Sequence, residues 1–194
     1  MPPQILSTEQ MIALHGFFAE AAAAGEAALA EIAGCETEVE VHEVRCTPLR
    51  HFGEQGMRLS DDDLIAGVMG RLEGALPGSL NLVLEPEEAL LWAQIGSDGD
   101  PVETFVSLGR ALLEGIAVVL SEVLSAESVF SGAALVEEPE LAMLVKTHAP
   151  SDTLVMSTRV RIEVRDEVVS AVTHLLIGPK YLAGLLSALS AAVH

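Results

Sequence analysis

The chain has 194 residues, half of them hydrophobic, with ten basic side chains against 29 acidic ones and a formal charge of −19. A length of this order makes one domain or two very small ones, and a compact fold of that size hides roughly 70% of its extended-chain surface. The acid excess argues against nucleic acid and anionic membrane as partners, because both are bound through basic surface.

Met1 to Gln10 carries no basic residue and no apolar block, so it does not read as a signal peptide. Later apolar stretches are interrupted by Glu114, Glu122, Asp166 and Lys180, short of the ~20 apolar residues that span a bilayer. The expected location is the cytoplasm. Ser7 with Gln10 fits a capping box, and an amphipathic helix is expected from there to about Ala33. Met11, Leu14, Phe18, Ala21, Ala22, Leu29 and Ile32 fall on one face, and Gly34 stands where a C-terminal cap belongs. The alanines from Ala21 to Ala24 suit a close approach to a neighbouring helix. Thr37 to Cys46 alternates as a strand does, with Val39 and Val41 inward and Glu38 and Glu40 outward. Thr47 to Asp63 is long, polar and contains Gly53 and Gly56, and is expected to be a mobile loop. Leu64 to Ala75 and Ser79 to Leu84 read as strands joined at Pro77-Gly78. Pro86 to Gln94 reads as a short helix, and Ser97 to Pro101 as a link.

The same plan then returns. A helix is expected from Val102 to Ser125, a strand from Val129 to Val136, and a connection from Glu137 to Pro150 with room for a short helix near Glu140 to Val145. Leu154 to Val164 and Val168 to Ile177 form a hairpin through Arg165, Asp166 and Glu167, and Pro179 to Ala192 closes the chain as a helix. Ala28-Leu29-Ala30-Glu31-Ile32 corresponds to Val119-Leu120-Ser121-Glu122-Val123, and Arg71-Leu72-Glu73 to Arg161-Ile162-Glu163, at an offset of ~90 residues. The reading is a single α+β domain built from half-repeats at about 7–98 and 99–194 and related by a pseudo-two-fold axis. Each repeat runs helix, strand, hairpin, helix, with the long helices packed on an antiparallel sheet.

This order, the close of each long helix, and the segment Gly78-Ser79-Leu80-Asn81-Leu82-Val83-Leu84-Glu85-Pro86-Glu87-Glu88-Ala89-Leu90 resemble the CheC/CheX/FliY family of chemotaxis proteins. The resemblance covers nearly the whole chain. It implies a CheC-like fold and an activity on the acyl phosphate of the response regulator CheY. That chemistry is carried in the family by a Glu-x-x-Asn pair on each long helix: the glutamate holds the partner's lysine and the asparagine orients the attacking water. The resemblance also implies CheD as a partner of some members. No cofactor or metal is implied.

The motif positions hold other residues. Along the family pattern the pairs fall on Gly16 and Ala19 in the first helix and on Ser107 and Arg110 in the second. The chain has one asparagine, Asn81, in a strand-like run, and no Glu-x-x-Asn or Glu-x-x-Gln anywhere. An amide both accepts from a water and donates to a phosphoryl oxygen; an alkyl group does neither and a guanidinium only donates. A positioned group of this kind contributes ~10²–10⁴-fold, so loss of both pairs predicts little hydrolysis by the family's route.

Glu103, Ser107, Arg110 and Glu114 form one polar stripe of the second long helix. It reads either as a solvated face with a weak Arg110–Glu114 pair, or as a surface meeting an acidic or phosphorylated partner without turning it over. Ile12, Gly16, Ala19 and Ala23 are the matching stripe of the first helix, small and apolar. It is expected to be covered by another subunit or by part of this chain, or else to be an alanine-rich surface of no consequence. The functional reading is a binding protein for a CheY-like response regulator, a CheD-like protein or a second copy. Two alternatives stand beside it: a phosphatase using Ser107, Arg110 or Glu114, and a structural module of a flagellar or signalling assembly.

The remaining signals are weak. Histidines 15, 42, 51, 148, 174 and 194 lack metal-ligand spacing and suit structural or surface roles. Cys35 and Cys46 make neither a disulfide framework nor a zinc site, and His51 near Cys46 has no evident third partner. Asp61, Asp62 and Asp63 suit a charged start to a strand better than a cation site.

Overall fold

The computed structural model describes residues 6–59, 64–95, 100–146 and 150–192. The capping box forms: the Ser7 amide donates to Gln10 Oε1 at 2.8 Å, and the Gln10 amide to Ser7 Oγ at 3.2 Å. It opens α1 (Thr8–Ala33), which ends at Gly34 in the left-handed conformation. There follow β1 (Thr37–Pro48), α2 (Leu49–Gln55), β2 (Leu64–Gly74), β3 (Gly78–Leu84) and α3 (Pro86–Ile95). The second half gives α4 (Pro101–Leu124), β4 (Ser128–Pro139), α5 (Glu140–Lys146), β5 (Leu154–Val164), β6 (Glu167–Ile177) and α6 (Pro179–Ala192). The expected link at 97–101 and the acidic run at 61–63 fall largely outside the described residues, as do His148 and His194.

Among the described residues all strands join one six-stranded antiparallel sheet in the order β1-β5-β6-β3-β2-β4. Exchanging β1 with β4, β2 with β5 and β3 with β6 returns the same order. Each half therefore lends its first strand to the other half's hairpin. Asn81 and His174 each lie five residues before the proline that opens the next helix, and they face each other in the β3–β6 register. The symmetry axis passes between them.

The long helices cover one face of the sheet and pack tightly on each other. A Cβ added at Gly115 would lie 2.5 Å from the Ala21 carbonyl oxygen, and one added at Gly25 would lie 3.0 Å from Leu112 Cα. Small residues at this crossing let the backbones meet, which is the role expected for the alanine-rich part of α1. Leu14, Phe18, Leu29, Leu108, Leu112 and Leu120 fill the space down to Leu80, Leu82 and Ile162 of the sheet. Ile32, expected on this buried face, is 40% exposed, whereas Phe17 and Ala33 are buried. Trp92 joins α3 to α4 by donating Nε1–H to the Phe105 carbonyl at 3.3 Å, and Arg165 donates to the Ala33 carbonyl at 2.9 Å.

The opposite face carries a second core, and here the expected loop at 47–63 is corrected. β1 runs on to Pro48 and α2 follows at once, with Leu49, Phe52 and Met57 buried against Ile65, Val83, Val155, Val172 and Leu176. Met143 and Leu144 of α5 complete that cluster. Two turns of helix are too short to show a period, and burial of Phe52 outweighs the glycines that suggested a loop. α4 is long and apolar enough to cross a membrane by length and composition, but two-thirds of its apolar window is buried within this fold, as in the core helix of a folded domain.

Candidate functional site

α4 begins where Asp100 accepts hydrogen bonds from the Val102 and Glu103 amides at 2.8 and 3.2 Å, with Pro101 in the first turn. From that start the helical period places Leu108, Leu112 and Ile116 toward the core and Glu103, Ser107 and Arg110 toward solvent. Arg110 Nε donates to Glu114 Oε1 at 2.6 Å one turn on. The structure thus brings the predicted polar stripe together on one outer face. An exposed pair of this kind contributes only ~0.3–0.5 kcal/mol, so the guanidinium is held loosely and an incoming anion can compete for it.

The matching face of α1 is open. Gly16, Ala19 and Ala23 are exposed and Ile12 is 67% exposed. A side chain added at Gly16 would meet nothing within 4 Å. The expectation that part of this chain covers the stripe is therefore corrected for the described residues: the helix turns its larger apolar residues, Leu14, Phe17 and Phe18, into the core instead. Ile12 forms one wall of a groove of about 420 Å³ between the start of α1 and His42, Glu43 and Val44 of β1.

Asn81, the only asparagine, is fully buried on β3 with neither amide atom hydrogen bonded among the described residues. It is not available to either outer helix face.

A polar chain that sequence reasoning missed lies beside it. Ser157 Oγ is 2.9 Å from His174 Nδ1, His174 Nε2 is 2.8 Å from Glu140 Oε1, and Glu140 Oε2 accepts from the Leu59 amide at 2.9 Å. Serine, histidine and glutamate are the residue types of a hydrolase triad. Here they are 1%, 0% and 2% exposed, and the Phe52 ring stands edge-on to the imidazole at 5.4 Å. Among the described residues the hydroxyl is walled off from solvent. The chain instead ties the start of α5 and the segment after α2 to the centre of the sheet. Its contacts span 17, 34 and 81 residues, so spacing along the sequence carried no signal. At the matching places in the first half stand Leu49, opening α2 as Glu140 opens α5, and Met69, opposite Asn81 as Ser157 is opposite His174.

Cys46 is not an activated thiol. Burial pushes it up from its usual 9.0 to about 11, which favours the protonated, unreactive form. His51 is engaged elsewhere, 3.1 Å from Arg50 Nε. Among the described residues no three His, Cys, Asp or Glu side chains gather as a metal-binding group.

No protein-family model matches the chain, and no curated protein matches it. Solved structures do. FliY of Thermotoga maritima superposes with a TM-score of 0.71 at 15% identity, over 96% of this chain and 98% of that one. The FliM middle domain of H. pylori gives 0.64 at 12% identity over 94% and 99%. CheX of Borrelia burgdorferi, in a complex with CheY, BeF3 and magnesium, gives 0.50 at 14% identity over 84% and 96%. The chain therefore has the fold of the CheC/CheX/FliY family.

Proposed function

We propose that this protein is a cytoplasmic, CheC-like binding module of chemotaxis signalling, which recognises a CheY-like response regulator and does not dephosphorylate it by the Glu-x-x-Asn route. One observation carries the reading: the two outer faces that correspond by the repeat hold Gly16 and Ala19, and Ser107 and Arg110, while the sole asparagine is buried in the sheet. With no carboxamide on either face, nothing aims a water. The α4 face keeps a cation able to meet phosphoryl or carboxylate oxygens. The symmetric strand order supports one domain of two half-repeats, 7–98 and 99–194. A pull-down with candidate response regulators, phosphorylated and unphosphorylated, tests the reading. Capture is expected to favour the phosphorylated form and to fall on Arg110→Ala. Capture unchanged by that substitution contradicts it. A CheD-like protein included as bait separates the other partner class.

A second reading, a structural module of a flagellar switch assembly, draws support from the TM-scores of 0.71 and 0.64 with FliY and the FliM middle domain against 0.50 with CheX. One neighbour is a FliG-FliM complex. A FliG-like bait retained by both wild type and Arg110→Ala favours this reading. The open α1 stripe, with Ile12 beside its groove, is the surface for a second copy; Ile12→Glu is expected to leave only monomer in solution-size measurements.

A further inference from the structure

Beyond α2 and α5 the second face of the sheet opens into a cavity of about 520 Å³, a size typical of small-molecule sites. Met69, Ser79 and Leu176 line its inner part, and Arg71 and Ala134 are exposed at its mouth. The register puts three of these in a row across neighbouring strands: Arg71 is directly opposite Ser79, and Ser79 directly opposite Leu176. A cation, a hydroxyl and an apolar surface therefore follow one another on one face.

Each member is available for binding. Arg71 is the one charged residue among the described residues lining the cavity, and it is a cation in a strongly acidic chain. It makes no ion pair with any described residue. Ser79 Oγ is buried without a hydrogen-bond partner among the described residues. A serine hydroxyl turns about a single bond among three staggered positions, so it is readily presented to a neighbour. Buried polar groups are ordinarily satisfied, so an orphan beside a cavity marks the place of something that satisfies it.

From this we infer that the cavity binds a small carboxylate with a short apolar tail. The Arg71 guanidinium and the Ser79 hydroxyl, side by side across two strands, donate to the carboxylate oxygens, and the tail lies along Met69 and Leu176. One guanidinium fork matches one carboxylate. The described lining offers no second cation to balance a phosphate dianion. The site is separate from both outer helix faces and independent of which protein partner they meet.

The test is a titration of the intact, isotope-labelled chain with hexanoate, followed by two-dimensional amide NMR. Saturable shifts are expected around Arg71, Ser79, Ala134 and Leu176. Hexanamide, of equal length but neutral, is expected to bind roughly 10-fold or more weakly, as is hexanoate to Arg71→Gln, because a charge-assisted hydrogen bond is lost in each case. Arg71 is exposed, so an otherwise unchanged spectrum shows that the variant folds. Ala134→Phe, which fills the mouth, is expected to abolish the shifts. Absence of saturable shifts at these residues, equal binding of hexanamide, or unchanged affinity in Arg71→Gln each overturns the inference.

Discussion

α1 and α4 are the same element used twice, and they differ by face. Toward the core both obey strict demands: they meet at Gly25 and Gly115, where a Cβ has no room, and each sends leucines and phenylalanines down to the sheet. Toward solvent α4 has a charged stripe with an Arg110–Glu114 pair, whereas the matching stripe of α1 holds Gly16, Ala19 and Ala23 with Ile12 at one end. Packing constrains the inner faces of both helices alike because a lost or added methylene there is felt directly. The outer faces answer only to what they meet, and the proposed loss of turnover leaves each free to serve recognition in its own way.

The largest effect that sharpens this comparison comes from placing a Glu-x-x-Asn pair on each outer face. Ser107→Glu with Arg110→Asn on α4, and Gly16→Glu with Ala19→Asn on α1, alter only exposed positions. Phosphate release from an acyl-phosphorylated response regulator that binds this chain is expected to rise ~10²–10⁴-fold over wild type when a pair faces the docked regulator. With the variant chain in saturating amount, to offset the capture lost with Arg110, a gain from the α4 pair alone assigns docking to that helix; no gain from either breaks the correspondence drawn between the two faces.

Next in size is the inner crossing. Gly115→Val drives side-chain atoms toward the Ala21 carbonyl, and denaturant unfolding is expected to show a loss of about 3 kcal/mol or more. A loss below about 0.5 kcal/mol would mean that the helices do not meet there.

Cys46 gives a smaller effect with a defined sign. Its folded pKa is raised, so the unfolded chain releases the thiol proton first, and stability falls as pH rises from 9.0 toward about 11. The slope contributed is about 1.4 kcal/mol per pH unit within that window, and Cys46→Val is expected to remove it from urea titrations run at several pH values.

The smallest effect concerns the open face of α1. Gly16 stands in a helix interior with free space around its Cα, so Gly16→Ala is expected to raise stability by ~0.5–1 kcal/mol in the same unfolding assay. A loss instead would show a packing demand on that face.

Local signals carried much of the fold. Ser7 and Gln10 announced the start of α1, Gly34 its end, and the valines of β1 their alternation. The repeat supplied the rest of the element order. What escaped were contacts made only in three dimensions. α2 is too short to declare a period, although Leu49 and Phe52 stand one turn apart. The second core joins Phe52, Met143 and Val172 across the whole chain. His174 sits within an apolar strand, and its serine and glutamate partners come from two other elements. The outer stripes on α1 and α4 were legible because they need only the helical period. Their exposure, and the burial of Asn81, needed the fold.

The most direct test of recognition without turnover is the rate of phosphate release from an acyl-phosphorylated CheY-like regulator, measured with a saturating amount of the wild-type chain and without it. The account predicts the same rate in both. Strong acceleration by the purified wild-type chain, abolished by changing Arg110 or another residue of the two outer stripes, would contradict it.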